Sequence, residues 1–404
     1  MFNPFEPGYA ADPYPHLREQ RETAPIQELP FGPWIVFEHA DALGLLRDTS
    51  MSVEERKAVA INPERERMRA QLIAEVAPDY EFRERVSILN LDPPDHTRLR
   101  KLVSSVFTPR RIAELQPMIA GVVERHLDAA EARGEMDLIA DLAFPLPFTV
   151  ISEMMGMPTE DRDQVRSWSH ALVRILDFTI GPDELRVALQ AGENMRTHLG
   201  EVIAWKRRNP GDDLLTALID AEADGDKLSD IELLEQVMLL YIAGHETTVN
   251  LIGNGTWALL QNREQLELWR DDPAVDATAI DELLRFDSPV QLSRRISLEE
   301  MQIHGREIPA GTFVFTSLGS ANRDSAVFGP TADELDLRRT DAARHLSFGS
   351  GSHHCLGASL ARLQGTEAIT GLIRRFPDVR AAADAPDWNG RLVLRGMESL
   401  PLSL

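Results

Sequence analysis

Cysteine is nearly missing from this chain: Cys355 is the one thiol in 404 residues. A lone thiol excludes an intrachain disulfide and any zinc site built on several cysteines. Long apolar runs are missing too. No stretch of about 20 uninterrupted apolar residues exists. The opening Met1-Phe2-Asn3-Pro4-Phe5-Glu6-Pro7 reads as neither a basic leader nor an anchor. With the single cysteine, these absences lead to the expectation of a cytoplasmic protein with no membrane partner. Positive charge is in deficit, with a net charge of −23 and a pI near 4.9. Nucleic acid and anionic membranes both demand a basic footprint, so neither is an expected partner. Repeats, low-complexity blocks and compositional breaks are absent, which points to a single domain over 1–404 and no fused redox module. The remainder is ordinary for a globular chain, 43% hydrophobic and 26% charged.

Periodicity gives a mainly α protein with a small β region near 20–40, 290–316 and 390–404. Ile26–Leu29 and Trp34–Phe37, split by Pro30-Phe31-Gly32-Pro33, read as a hairpin. Helical patterns cover 92–107, 109–133, 140–155, 160–178, 183–208, 213–222, 262–270, 276–286 and 356–375. Ser229-Asp230-Ile231-Glu232 is a capping box that opens a proline-free helix to about Leu260. That helix is roughly 48 Å long at 1.5 Å per residue.

The thiol lies in Phe348-Gly349-Ser350-Gly351-Ser352-His353-His354-Cys355-Leu356-Gly357-Ala358-Ser359-Leu360-Ala361-Arg362. The glycines permit a close backbone approach and positive φ. The stretch after Cys355 reads as the first turns of a helix, whose dipole and free N–H groups favour a thiolate. Alone, a free cysteine is usually a small buried hydrophobe. Zinc is disfavoured, because three consecutive residues do not converge on one tetrahedral ion. A single axial thiolate on a haem iron needs only one sulfur. At these residues the chain resembles the cytochrome P-450 family of haem-thiolate monooxygenases. Every fixed position of the family's Phe-Gly-x-Gly-x-His-x-Cys-x-Gly loop is matched.

The resemblance implies the triangular, helix-rich fold of that family, a haem b cofactor, and Cys355 as the iron's axial ligand. Ala243-Gly244-His245-Glu246-Thr247-Thr248 matches the family's oxygen-activating motif. In it Ala243 and Gly244 leave room beside the haem, and Glu246 and Thr247 deliver protons. Otherwise a helical threonine simply bonds the carbonyl four residues back. His96 and Arg100, four apart on one helix face, match the His-x-x-x-Arg element that serves the haem propionates. His353 and Arg295 take two further propionate-binding positions, with Arg294 expected on the opposite face of its strand. Glu282-Leu283-Leu284-Arg285 matches the Glu-x-x-Arg pair, with Arg339 rather than Arg338 as its third partner. The chain departs from the usual pattern at Leu335 and Ser325.

Leu239, Val290, Leu292 and Met397 are the candidate walls of an apolar pocket. Trp168, Leu172, Ile175, Leu176 and Phe178 are more in keeping with core. The charged segment 50–90 reads as a helix or a lid. A small apolar organic substrate, O2 and a ferredoxin-type electron donor are the implied partners. The donor would be steered by Arg98, Lys101, Arg110, Arg111, Arg344 and Arg362. The acid–alcohol pair counts against a peroxide-driven relative, and no effector module suggests a haem sensor.

Overall fold

The computed structural model describes the whole chain except residues 1, 31, 62, 79, 81–85, 159–161, 178–179 and 224. Phe178 therefore lies outside the described residues. The helix Asp230–Gln261 organises the fold. Its start is fixed reciprocally: Glu232 N–H donates to Ser229 Oγ at 3.3 Å, and Ser229 N–H donates to Glu232 Oε2 at 2.8 Å. Beyond its first turns the helix is buried on most sides, as a helix apolar nearly all round must be. Pro145–Met154, Arg162–Val173, Pro182–Arg208, Asp276–Phe286 and Ala358–Arg375 surround it.

Glycine sets how closely three of these helices meet. A Cβ on Gly255 would stand 3.0 Å from Leu283 Cδ1, and one on Gly365 would stand 2.8 Å from Ile280 Cδ1. The central helix, the Glu-x-x-Arg helix and the helix after Cys355 thus form one tightly packed wall.

The β region is a five-stranded sheet. Its order is Ile26–Glu28, Trp34–Val36, Phe313–Ser317, Leu292–Ser297 and Met51–Ser52. The first pair is the antiparallel hairpin, and Phe313–Ser317 joins it in parallel. Leu292–Ser297 pairs antiparallel with Phe313–Ser317, setting Arg295 opposite Val314. Near the carboxyl end, Pro401–Ser403 pairs with Glu135–Asp137, and Met397–Ser399 with Asp387–Trp388.

Some elements differ from the periodicity reading. The 109–133 pattern splits into Pro109–Glu114 and Gln116–Arg133, because Pro117 starts a new first turn. The 140–155 pattern opens with a π-helical turn, Ile139–Ala143, ahead of Pro145, which has no N–H to donate. Tyr14–Thr23 and His39–Arg47 are helices that the pattern did not mark. Within 50–90 the described residues form helices Glu55–Ile61 and Pro63–Val76. No helix among the described residues is long and apolar enough to cross a membrane.

Candidate active site

The cysteine loop is held by its backbone. Cys355 N–H donates to Phe348 O at 2.9 Å, and Gly349 N–H to Leu346 O at 2.7 Å. Gly349 and Gly351 have φ of 67° and 71°, values that side chains rarely tolerate. Gly351 is doubly constrained, since a Cβ there would lie 2.7 Å from Leu46 O. Arg47 Nε donates to Ser350 Oγ at 2.9 Å, pinning the loop to the helix His39–Arg47. The Phe348 ring lies under Arg362, whose guanidinium carbon is 4.6 Å from the ring centre.

The thiol of Cys355 is solvent-accessible, yet enough protein surrounds it that burial pushes its pKa up. The N–H of Gly357, Arg100 and Arg362 pull the other way without prevailing. The helix start and nearby cations thus favour the thiolate, as the sequence leads one to expect, against the cost of burial.

Four donors gather beside the loop. The His96 and His353 rings are 4.3 Å apart. His96 is 2% exposed, and both its ring nitrogens are buried without a hydrogen-bond partner. Burial, His96 and Arg295 hold His353 down to about 4. Burial lowers Arg295 to about 10, and among the described residues its hydrogen bonds go to Ser293 Oγ and the Arg294 carbonyl. Arg294 turns away to Glu55 at 2.6 Å. Arg100 reaches the His354 carbonyl at 2.6 Å. The nearest acid, Asp92, is already committed to Ser52, to Lys57 Nζ at 2.7 Å and to Val53 N–H at 2.9 Å. Buried cations and donors that repel one another fit a buried dianion.

The central helix presents an open strip to this region. Leu239, Ala243 and Thr247 are spaced by four and share a face. Each is at least partly accessible, as are Gly244 and the neighbouring Leu240 and Ile242. Leu239 packs in the same small cluster as Leu356, the neighbour of Cys355. Thr247 Oγ1 donates to Ala243 O at 2.8 Å, while Thr248 is buried and reaches Gly244 O at 3.3 Å. Glu246 points elsewhere. It is buried, with Oε1 2.5 Å from Arg391 Nη1 and Oε2 3.3 Å from His170 Nδ1. Burial raises the Glu246 pKa, but His170 and Arg391 outweigh it and bring the group to about 2. Neither partner was visible in the sequence, because both are distant in the chain and belong to no local pattern.

His245 packs edge-on against Phe144 and donates from Nε2 to Phe144 O at 3.0 Å, and burial lowers it to about 4. Between its ordinary 6.5 and about 4, the unfolded chain binds a proton there that the folded chain does not. Stability therefore falls as the pH drops through that window. His245→Phe should flatten the slope, sparing about 2 kcal/mol near pH 5, as read from denaturant unfolding at matched cofactor loading.

Glu282 and Arg285 are both fully buried and joined by two bonds of 2.7 Å. Arg339 Nε reaches Glu282 Oε1 at 3.2 Å, whereas Arg338 pairs with Asp272 on the surface. On the substrate side, Leu292 belongs to a cluster with Tyr14, Leu17 and Phe37, and Met397 to the main core. Both lie on strands, Leu292–Ser297 and Met397–Ser399, and both are buried. Val290 is half-buried, and its backbone bridges to Leu394. Trp168 and Leu172 pack on the main core, and Leu176 is exposed.

An accessible thiol in a glycine loop, two arginines and two histidines gathered beside it, and a partly accessible strip on a long helix define a haem-thiolate site. The model of the family described as Cytochrome P450 matches residues 69–268 and 273–384, and the chain belongs to that family. It is 40% identical to the polyketide biosynthesis cytochrome PksS of Bacillus subtilis, over 100% of this chain and 98% of the relative. It is 38% identical to the monooxygenase PikC of Streptomyces venezuelae, over 98% and 91%. The solved structure of PksS superposes with a TM-score of 0.88 at 38% identity, covering all of both chains. That of P450BioI, in complex with hexadec-9Z-enoic acid ligated acyl carrier protein, also scores 0.88, at 34% identity over 98% and 99%. The chain is therefore a monooxygenase whose cofactor is haem b and which acts on substrate and O2 with a redox partner.

Proposed function

We propose that this chain hydroxylates or epoxidises a small apolar organic molecule, with electrons passed from NAD(P)H through a ferredoxin reductase and a ferredoxin. The observation that carries this reading is that accessible Cys355 adjoins Leu356, which packs on the same small hydrophobic cluster as Leu239 of the central helix. Cys355 Sγ would be the protein's ligand to the haem iron. His96, Arg100, Arg295 and His353 would hold the propionates, and Phe348 and Gly349 would shape the loop that supports the cofactor. Bound there, haem b supplies O2 activation and oxygen-atom transfer.

The chain's own groups hold and move protons. Thr247 Oγ1 presents a hydroxyl at the open face, anchored on Ala243 O at 2.8 Å. Ala243 and Gly244 keep that face free of bulk. Glu246 is the acid through which protons pass toward Thr247. Leu239 and Val290 supply apolar surface for the substrate, with Leu292 and Met397 supporting from the core. Lys101, Arg110, Arg111 and Arg344 are exposed and favour an acidic electron donor. Arg98 is instead committed to Asp226 and Glu232, and Arg362 to Asp281.

The test is reconstitution with a surrogate ferredoxin and reductase. Substrates would first be chosen by displacement of ferric-iron water, seen as a Soret shift. Because one solved relative holds an acyl carrier protein, carrier-bound acyl chains belong in that screen. Product that requires O2 and reductant supports the reading. Product from peroxide alone, or CO binding without any product, overturns it. Thr247→Ala should keep haem content while diverting most reducing equivalents to peroxide; unchanged coupling removes Thr247 from proton delivery.

A further inference from the structure

Of the two partners that hold Glu246, one is sealed and one is open. The Arg391 side chain is 4% exposed, whereas that of His170 is 39% exposed. The open side of His170 looks outward. Residues 163, 166, 167, 170 and 174 recur at helical spacing along one face. On it Asp163 is 95% exposed opposite Arg166, and Arg174 pairs with Glu184 at the surface over 2.5 Å. The inner row of the same helix, Val165, Ser169 and Val173, is buried. Ser169 donates to Tyr241 O on the central helix at 3.2 Å. His170 thus spans from the outer row to a buried carboxylate.

We infer that His170 is the relay through which solvent protons reach Glu246. This rests on the proposed role of Glu246 and names its supply. Solvent hydronium gives a proton to Nε2 and leaves as water, Nδ1 releases its proton to Glu246 Oε2, and the ring resets by turning over about χ2. One proton enters, one leaves, and no electrons move. Arg391 holds the other carboxylate oxygen, so Glu246 passes the proton onward rather than storing it.

Among the described residues, these charged and titratable groups surround His170. Glu246 and His245 face it from the central helix, and Arg391 from the carboxyl-terminal segment. Arg166 and Arg174 flank it on its own stretch, and Glu184 lies on Pro182–Arg208. His245 is fully buried and tied to Phe144 O at 3.0 Å, so it offers no route outward. Phe144 closes the remaining side edge-on at 5.7 Å.

The experiment compares His170→Phe and His170→Asn with wild type and Glu246→Gln, all haem-loaded and reconstituted with redox partners. Both His170 variants should lose about ten- to a hundredfold in kcat, with KM and the substrate-induced Soret shift unchanged. Their solvent deuterium effect should rise, and small protonated buffers should restore part of the rate. In histidine-labelled protein without substrate, the His170 ring resonance should move in Glu246→Gln, which checks the contact independently of turnover. If Glu246→Gln slows turnover but both His170 variants keep wild-type kcat and isotope effect, the His170 route is wrong and the Glu246 assignment stands. If Glu246→Gln itself turns over normally, the proton-delivery reading falls and the relay falls with it. An unmoved His170 resonance also overturns the relay.

Discussion

Replacing Cys355 with serine is expected to erase the strongly red-shifted ferrous–CO band and to bring turnover below detection. The backbone of the loop should survive. Its form depends on the Cys355 N–H to Phe348 O bond of 2.9 Å and on two left-handed glycines, not on the side chain. The change is thus confined to the donor atom. A serine hydroxyl is far less acidic than a thiol, and the surroundings already raise the pKa of the group at this position. An alkoxide would be more costly still, and sulfur's push of electron density toward iron would be gone. A dithionite-reduced, CO-saturated spectrum reads the result directly. Retention of the red-shifted band in Cys355→Ser would refute the assignment of this residue as ligand.

Arg285→Leu is expected to cost about 3–5 kcal/mol and to strip the protein of cofactor, because it leaves a buried acid without its main partner. Arg285 donates to the carbonyls of Asn322, Ala332 and Glu334 at 2.6–3.0 Å as well as to Glu282. The Asn322 and Ala332 carbonyls would each lose a donor in a buried place. Glu282→Ala should approach the same cost, since Arg285, Arg339 and the Asp336 N–H all converge on that carboxylate. Arg338→Ala provides the contrast. Its partner is Asp272, the pair is 64% and 40% exposed, and the change should be worth less than about 1 kcal/mol. Denaturant midpoints and haem retention on a desalting column measure both effects. Equal midpoints for Arg285→Leu and Arg338→Ala would contradict the structural role.

The readable parts of this molecule were those in which chemistry is local. The capping box at Ser229, the glycine loop at Cys355 and the four-residue step from His96 to Arg100 are short patterns with one physical meaning each. The hairpin at Trp34 was equally plain. The short helices were not, because Tyr14–Thr23 and His39–Arg47 owe their order to burial of Leu17, Leu45 and Leu46 against distant elements. Helix breaks within 109–133 and 140–155 followed proline chemistry that periodicity smooths over.

At the site, Glu246 could be named from its motif, but its partners could not. Arg391 is 145 residues away and His170 is 76 away, so only the fold could unite them. The pocket residues were hardest to place. Leu292 and Met397 have the composition of a wall, yet three-dimensional packing puts them in the interior. An apolar side chain looks the same in sequence whether it touches a substrate or its own core.

The contact of Arg100 with the His354 carbonyl joins positions 254 residues apart. A ribosome therefore releases the early half of the cofactor grip long before the late half exists. During synthesis the emerging chain can arrange its first helices, but it has no metal-binding loop to close. On the proposed assignment of these residues, haem capture waits until nearly the whole polypeptide has left the exit tunnel. Pulse-labelled nascent chains stalled upstream of Phe348 should accordingly retain no porphyrin, however rich the medium is in it.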